Sequence, residues 1–211
     1  MSGLATLLTL ADSRLPTGGH VHSGGVEEAV TRGLVTDAAT LRAFLVRRIR
    51  TSGLVTASVA AAVHGGTLSA VRGDLEIDAR TPSPAARAAS RAQGRGLVRL
   101  ARRVWPDADW EPVGVKPHLA VAAGAVGAAS QLTPEQTALS VVYTTMTGSA
   151  TAAQRLLALD PGDVAALTFD LAALCEVTAA EAAKELADLS DPLLDVLAQR
   201  HAARERPLFA S

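Results

Sequence analysis

Between Pro117 and Gln154 the chain carries a single charged side chain, Glu135. A helix without charge around its circumference must bury most of its surface, so this stretch belongs inside the molecule. Its first part is mostly Ala, Gly and Val; its second is apolar with scattered hydroxyls. Between them, Thr133-Pro134-Glu135-Gln136 reads as a helix start: Thr133 as N-cap, Pro134 at the first helical position, Gln136 closing a capping box. The pattern predicts two helices in a buried hairpin. In the second helix, Leu139, Val142, Met146, Ser149, Ala153 and Leu156 form the inward face, widened by Tyr143 and Ala150. In the first, Ala123, Gly124, Gly127 and Ala128 let a neighbouring backbone come close. Each run approaches the ~20 residues of a membrane span. The Ala, Gly, Ser and Thr content, with no basic cluster alongside, favours a buried hairpin and no membrane.

Hydrophobic residues make up 48% of the 211 and aromatic residues only 3%, so the core is built from Ala, Leu and Val. That composition suits close helix packing, and no stretch alternates with the period of a strand. The expectation is an all-α single domain, residues 1–211, with about eight to ten helices around the central hairpin. A formal net charge of −1 argues against nucleic acid as a partner. The opening MSGLATLLTLADSR has no basic region of a signal peptide. With one cysteine, Cys175, an internal disulfide is excluded. A cytoplasmic location is expected on both grounds.

Cap and breaker residues place the remaining helices. LATLLTLA at 4–11 gives one to two turns, and Ser23 is a candidate cap for a helix over 25–32. Asp37 caps a helix over 38–52 with Leu41, Phe44, Leu45 and Ile49 inward and Arg42, Arg47, Arg48 and Arg50 outward. Leu54 to Val63 is a separate apolar segment. Residues 67–80 are a helix with Leu68, Val71 and Leu75 inward and Arg72, Asp74 and Glu76 outside. From Pro84 to Val104 an amphipathic helix sets Ser90, Gly94, Leu97, Val98 and Ala101 opposite an arginine stripe, Arg87, Arg91, Arg95, Arg99 and Arg102. The stripe is either an acidic partner's docking face or a solvated surface. A loop packed by Trp105 and Trp110 follows. Asp160 caps a helix with Val164, Leu167, Leu171 and Leu174 inward. Thr178 and Glu181 form a capping box for a short helix to about 188, and the last helix begins at Ser190-Asp191-Pro192. Pro207 stops it, which leaves an apolar Leu208-Phe209 near the chain end. That pair either folds back onto the body or inserts into a partner.

The densest local pattern is Asp12-Ser13-Arg14-Leu15-Pro16-Thr17-Gly18-Gly19-His20-Val21-His22-Ser23-Gly24-Gly25-Val26-Glu27. Its glycines allow positive φ and close approach to another surface. It lacks the Gly-x-x-x-x-Gly-Lys-Ser/Thr spacing of a phosphate loop. His20 and His22 are candidate metal ligands, with no third ligand at suitable spacing nearby. No motif for hydrolysis, zinc or redox chemistry occurs, and Cys175 reads as a core thiol. From the residues alone the chain is an all-helical binding protein with no catalytic set.

The 12–27 segment resembles the N-terminal signature of the UreF family of urease accessory proteins. Asp12, Ser13, Leu15, Pro16, Gly18, Gly19, His22, Ser23, Gly25 and Glu27 match in register, with Val26 for Leu and His20 where an aromatic is usual. Arg87 to Ser90 with Gly94-Arg95 and Leu97-Val98, then His118 with Gly124-Ala125, and finally Asp195, His201, Leu208-Phe209 and Ser211, are similar to further family segments. Ala202, Pro207 and Ala210 depart from the usual Glu, Arg and Arg. After Arg155-Leu156 the usual Pro-Leu-Gly-Gln is replaced. The resemblance implies an all-helical homodimer without enzymatic activity. Such a protein binds the accessory protein UreD (also UreH), and together they recruit the GTPase UreG to apo-urease. Nickel and GTP are then handled by the complex rather than bound as cofactors of this chain. Partner-binding segments are expected at 12–27 and 204–211, with Asp12, Ser13, Pro16, Gly18, Gly19, His22, Ser23, Gly25, Glu27, Arg155, His201, Leu208, Phe209 and Ser211 as the residues involved. Glu27 is expected to satisfy backbone amides or a basic group. A different class remains open: an all-helical small-molecule-binding or regulatory domain, with an apolar pocket lined by the central hairpin.

Overall fold

The computed structural model describes residues 3–12, 14–17, 22–188, 191–205 and 207–209. Among them the regular structure is helical, with no strand or sheet: α1 Leu4–Leu10, α2 Val26–Thr31, α3 Ala38–Arg48, α4 Leu54–His64, α5 Ala70–Arg80, α6 Pro84–Val104, α7 Leu119–Ala129, α8 Pro134–Leu157, α9 Pro161–Asp170, α10 Ala172–Ala182 and α11 Pro192–Ala202. The all-α single-domain expectation holds.

The anticipated hairpin is α7 and α8. Thr133 and Gln136 form the reciprocal capping box, and Pro134 occupies the first turn. The two helices are not each other's main neighbours, however. α4 packs between them and touches each more extensively than they touch one another. The glycines of α7 make that possible: a Cβ on Gly124 would stand 2.5 Å from the Ala60 carbonyl of α4, and one on Gly127 would meet Thr137 and His64. α8 is buried along Ala138, Val142, Met146, Ser149 and Ala153. Tyr143, expected on that face, is exposed instead. Ser140, Thr144 and Thr145 are half-buried, because they line an internal cavity. An uncharged helix with many hydroxyls is thus explained by a cavity wall as much as by a core. No described helix is long and apolar enough to cross a membrane.

Three local expectations change. First, the helix from Asp37 does not end near 52. It continues from α3 through a π turn, Ile49–Gly53, into α4. Thr51 Oγ1 and Ser52 Oγ donate back to the carbonyls of Arg47 and Arg48 in this turn, at 2.8 and 3.4 Å. Hydroxyls that bond back in this way bend helices. Arg48 is not outward. It lies four residues after Phe44 and three after Leu45, on the inner face, where its guanidinium reaches the Gly24 carbonyl at 2.6 Å. Second, α5 is rotated from the expected orientation. Val71 and Leu75 are 67% and 53% exposed, whereas Gly73 and Ile77 are buried. Asp74 points inward because Arg91 and the His118 amide supply partners there. Third, Thr178 caps nothing. The break falls at Leu171, Thr178 is buried inside α10, and residues 183–188 are not helical.

The arginine stripe of α6 is divided. Arg91 bridges Asp74 and Asp78 at 2.6 and 2.9 Å and Arg87 donates to the Thr81 carbonyl, while Arg95, Arg99 and Arg102 are exposed. Trp110 is buried and donates its indole N–H to the Trp105 carbonyl, so the connecting loop is packed as expected.

Candidate partner-binding site

Gly24 and Gly25 have φ of +64° and +89°, conformations that other residues adopt only with strain. This turn starts α2 with Gly25 as N-cap, so Ser23 is not the cap expected from the sequence. Ser23 is wholly buried, its carbonyl accepting from Ser149 Oγ at 3.2 Å. The turn delivers Glu27 and Glu28 to the positive end of α2, both buried.

Glu27 is the centre of the site. One of its oxygens faces His201 Nε2 of α11 at 2.7 Å and accepts the Phe209 amide at 2.9 Å. The other accepts the Leu208 amide at 2.9 Å. Burial alone would push the Glu27 carboxyl up. Hydrogen bonds from His201, Leu208 and Phe209 outweigh it and hold the group below its ordinary value. Next to it, Glu28 accepts from Arg32 at 2.8 Å and from Arg204 at 3.3 Å, and Arg204 also donates to Thr31 at 2.6 Å. The chain end therefore folds back along α2 with its main chain fixed. Phe209 packs against the core, and Leu208 is left 80% exposed. Of the two possibilities for this pair, folding back describes Phe209, and Leu208 faces outward.

The remaining candidates divide. Gly25, Glu27, His201, Leu208 and Phe209 meet here, and Ser23 lies beneath the turn. Asp12 pairs with Arg14 at 2.6 Å near the surface, and Arg14 holds its carboxyl down to about 2. Pro16 is exposed, and Thr17 beside it rests on α6 at Gly96, where any side chain would run into the Thr17 carbonyl. Arg155 is exposed on the last turn of α8, away from these hydrogen bonds. His22 lines the internal cavity. Ser13, Gly18, Gly19, His20 and Ser211 lie outside the described residues. Among the described residues no three His, Cys, Asp or Glu side chains gather as a metal site.

The other motif residues converge elsewhere. His118 is fully buried, with Nδ1 at 3.0 Å from Ser90 Oγ and Nε2 at 2.9 Å from Asp78. The His118 amide donates to Asp74 at 2.8 Å, and the Leu119 amide donates to Ser90 Oγ at 3.1 Å. Asp78, whose pKa is lowered by His118 and Arg91 against the cost of burial, is an ionised acceptor. That puts the imidazole hydrogen on Nε2. The set has the order of a Ser-His-Asp relay, but it binds α5, α6 and α7 to one another, and Ser90 Oγ is occupied by a main-chain N–H. Asp195 likewise accepts the Ser83 amide at 3.0 Å, fixing α11 to the start of α6. Asp78 and Arg204 were not singled out from the sequence. Asp78 was detectable only as the residue one turn after Asp74.

Burial lowers the His118 and His64 pKa values, more than the groups raising them restore. Both groups bind fewer protons when folded, so stability falls as pH drops below their ordinary value of about 6.5. Glu27, Glu28, Asp78 and Asp191 have lowered folded values. Their stabilisation is present above the ordinary carboxylate range of about 4 and is lost as pH falls through it. Urea denaturation should therefore give declining stability from pH 7.5 to 5.5, then a steeper decline below 4.5. A flat profile from 7.5 to 5.5 would contradict the buried neutral histidines.

The UreF family model matches residues 35–172. The urease accessory protein UreF of Mycolicibacterium vanbaalenii is 80% identical, that of Mycobacterium marinum 74% and that of Mycobacterium tuberculosis 69%, each over the full length of both chains. The family model covers the helices of the relay at His118, the full-length relatives also cover those of the clasp at Glu27, and the chain belongs to the UreF family.

Proposed function

We propose that this chain serves urease maturation as a scaffold, gripped by other polypeptides and performing no catalysis of its own. Its family and its relatives' names support the accessory role. The observation that carries the scaffold reading is the clasp. Two main-chain amides of the tail are held on a buried carboxylate, with Leu208 presented outward at 80% exposure. An apolar side chain on a fixed backbone forfeits little conformational freedom when a partner covers it. In this reading the tail and the 12–27 loop meet UreD (UreH). The pair then recruits UreG to apo-urease, a homodimer of this chain forms the scaffold's core, and the assembly works in the cytoplasm. Nickel and GTP are cargo and fuel of the assembly.

Leu208→Asp tests the tail directly, because that side chain contributes little to the fold. Co-purification with the UreD-like protein should fall at least about tenfold, the consequence of burying one unpaired charge at an interface. Unchanged thermal stability should accompany the loss. Undiminished co-purification would remove the tail from the interface.

A further inference from the structure

α9 and α10 are separated only by Leu171, whose N–H donates to the Leu167 carbonyl and whose carbonyl accepts from the Cys175 amide, each at 3.1 Å. Helical hydrogen bonding therefore crosses the junction, and the faces of α9 continue into α10. Val164, Leu167, Leu171, Cys175, Thr178 and Ala182 form the inner face, three and four residues apart and all buried. On the outer face the same spacing gives Ala166, Phe169, Ala173, Val177 and Ala180. Phe169 is 81% exposed and Val177 66%, Ala166 and Ala173 are exposed, and Ala180 is half-buried.

A solvated helix face carries polar side chains at such positions. Single exposed apolar residues are ordinary, but a row of them at helical spacing, bordered by polar groups, marks a protein contact. Phe169 and Val177 stand up from the face, and the alanines leave hollows between them, the relief into which another helix packs. The border says what kind of helix. Glu176 lies along one edge, and Asp170 and Glu181 along the other. All three are exposed, and among the described residues no cation pairs with any of them. Between Asp160 and Asp188 the only cation is Lys184. A second copy laid on this face would set carboxylates against carboxylates, which opposes self-association. A polyanion such as nucleic acid is repelled for the same reason.

We propose that the outer face of α9 and α10 docks an amphipathic helix of a partner protein, apolar along one side and edged with Lys or Arg. Its apolar side covers Phe169 and Val177, and its basic edges meet Glu176 on one flank and Asp170 and Glu181 on the other. The clasp joins α2 to α11, whereas α9 and α10 pack on α3, α4 and α8, so this face is built on a different set of helices from the tail site. Resting on the scaffold reading, the proposal assigns the face to the GTPase, the polypeptide that joins after the UreD-like protein.

The full chain, purified with its UreD-like partner, is titrated with UreG and separately with apo-urease, at low and at high salt. Phe169→Asp should weaken GTPase binding at least about tenfold, the loss of a large apolar anchor. The double variant Glu176→Lys/Glu181→Lys should weaken it as well, and wild-type binding should decline as salt rises. Both variants should keep the wild-type melting temperature and the wild-type grip on the UreD-like protein, because these side chains are exposed and the two carboxylates unpaired. Undiminished GTPase binding by either variant, or a loss confined to apo-urease, would overturn the proposal. So would sedimentation showing that Phe169→Asp alone splits a wild-type dimer, since the face would then join two copies of this chain. A wild-type pair that binds no GTPase would sink the scaffold reading together with the face.

Discussion

Glu27→Ala should destabilise the protein by about 3–5 kcal/mol, the cost of breaking a buried charged cluster by removing one member. His201 would lose its hydrogen bond to Glu27 in a buried site, and the amides of Leu208 and Phe209 would lose their common acceptor. A conservative Glu27→Gln keeps the size and one acceptor oxygen, so it should cost less, about 1–3 kcal/mol. The two variants separate charge from shape. Urea denaturation gives the stability, and limited proteolysis gives the state of the tail. Cleavage near Leu208 should accelerate in both variants before global unfolding is reached. A Glu27→Ala protein as stable as wild type, with its tail still protected, would show that the main-chain clasp is not what holds the chain end.

The second large effect belongs to Gly94→Ala. On an open helix surface this change would stabilise by about 1 kcal/mol through helix propensity. Here the added methyl would overlap the Pro117 carbonyl and lie 2.8–2.9 Å from the backbone of His118. Neither neighbour is a flexible side-chain end, so α6 and the start of α7 must separate. Overpacking of that kind costs about 1–3 kcal/mol, occasionally more, which outweighs the propensity gain. Separation would also stretch the hydrogen bonds that Ser90 Oγ makes with His118 Nδ1 and accepts from the Leu119 amide. Net destabilisation of about 2 kcal/mol is expected, read as a lower urea midpoint with unchanged slope. A stabilised Gly94→Ala would mean that the two helices are not in contact at this point.

Features set by local chemistry were legible in the sequence. Thr133, Asp37 and Asp160 cap the helices that the sequence assigned to them, and the last helix starts at Asp191-Pro192 as expected. The small residues of α7 announced close packing, although not that α4 would be the neighbour. What failed was the inference from residue type to orientation. Val71 and Leu75 looked like a buried stripe, yet Asp74 and Asp78 turned inward because Arg91 pairs with both and His118 donates a hydrogen bond to each, from residues far along the chain. Arg48 was set outside because it is charged, against a register that placed it with Phe44 and Leu45. A buried charge depends on partners or a cavity that one stretch of sequence does not display. The clasp was half visible: Glu27 was expected to meet amides or a basic group and meets both. That the amides would be those of Leu208 and Phe209 depended on α11 lying beside α2, a contact between distant parts of the chain.

The central claim is that this chain enables urease maturation by being held between other proteins. It is tested most directly by urease activity in cells at fixed nickel, comparing chain-free cells with cells expressing wild type or Leu208→Asp. The account predicts abundant but inactive urease without the chain, activity restored by wild type, and little restored by an equally abundant Leu208→Asp. Full urease activity in cells lacking the chain would contradict it.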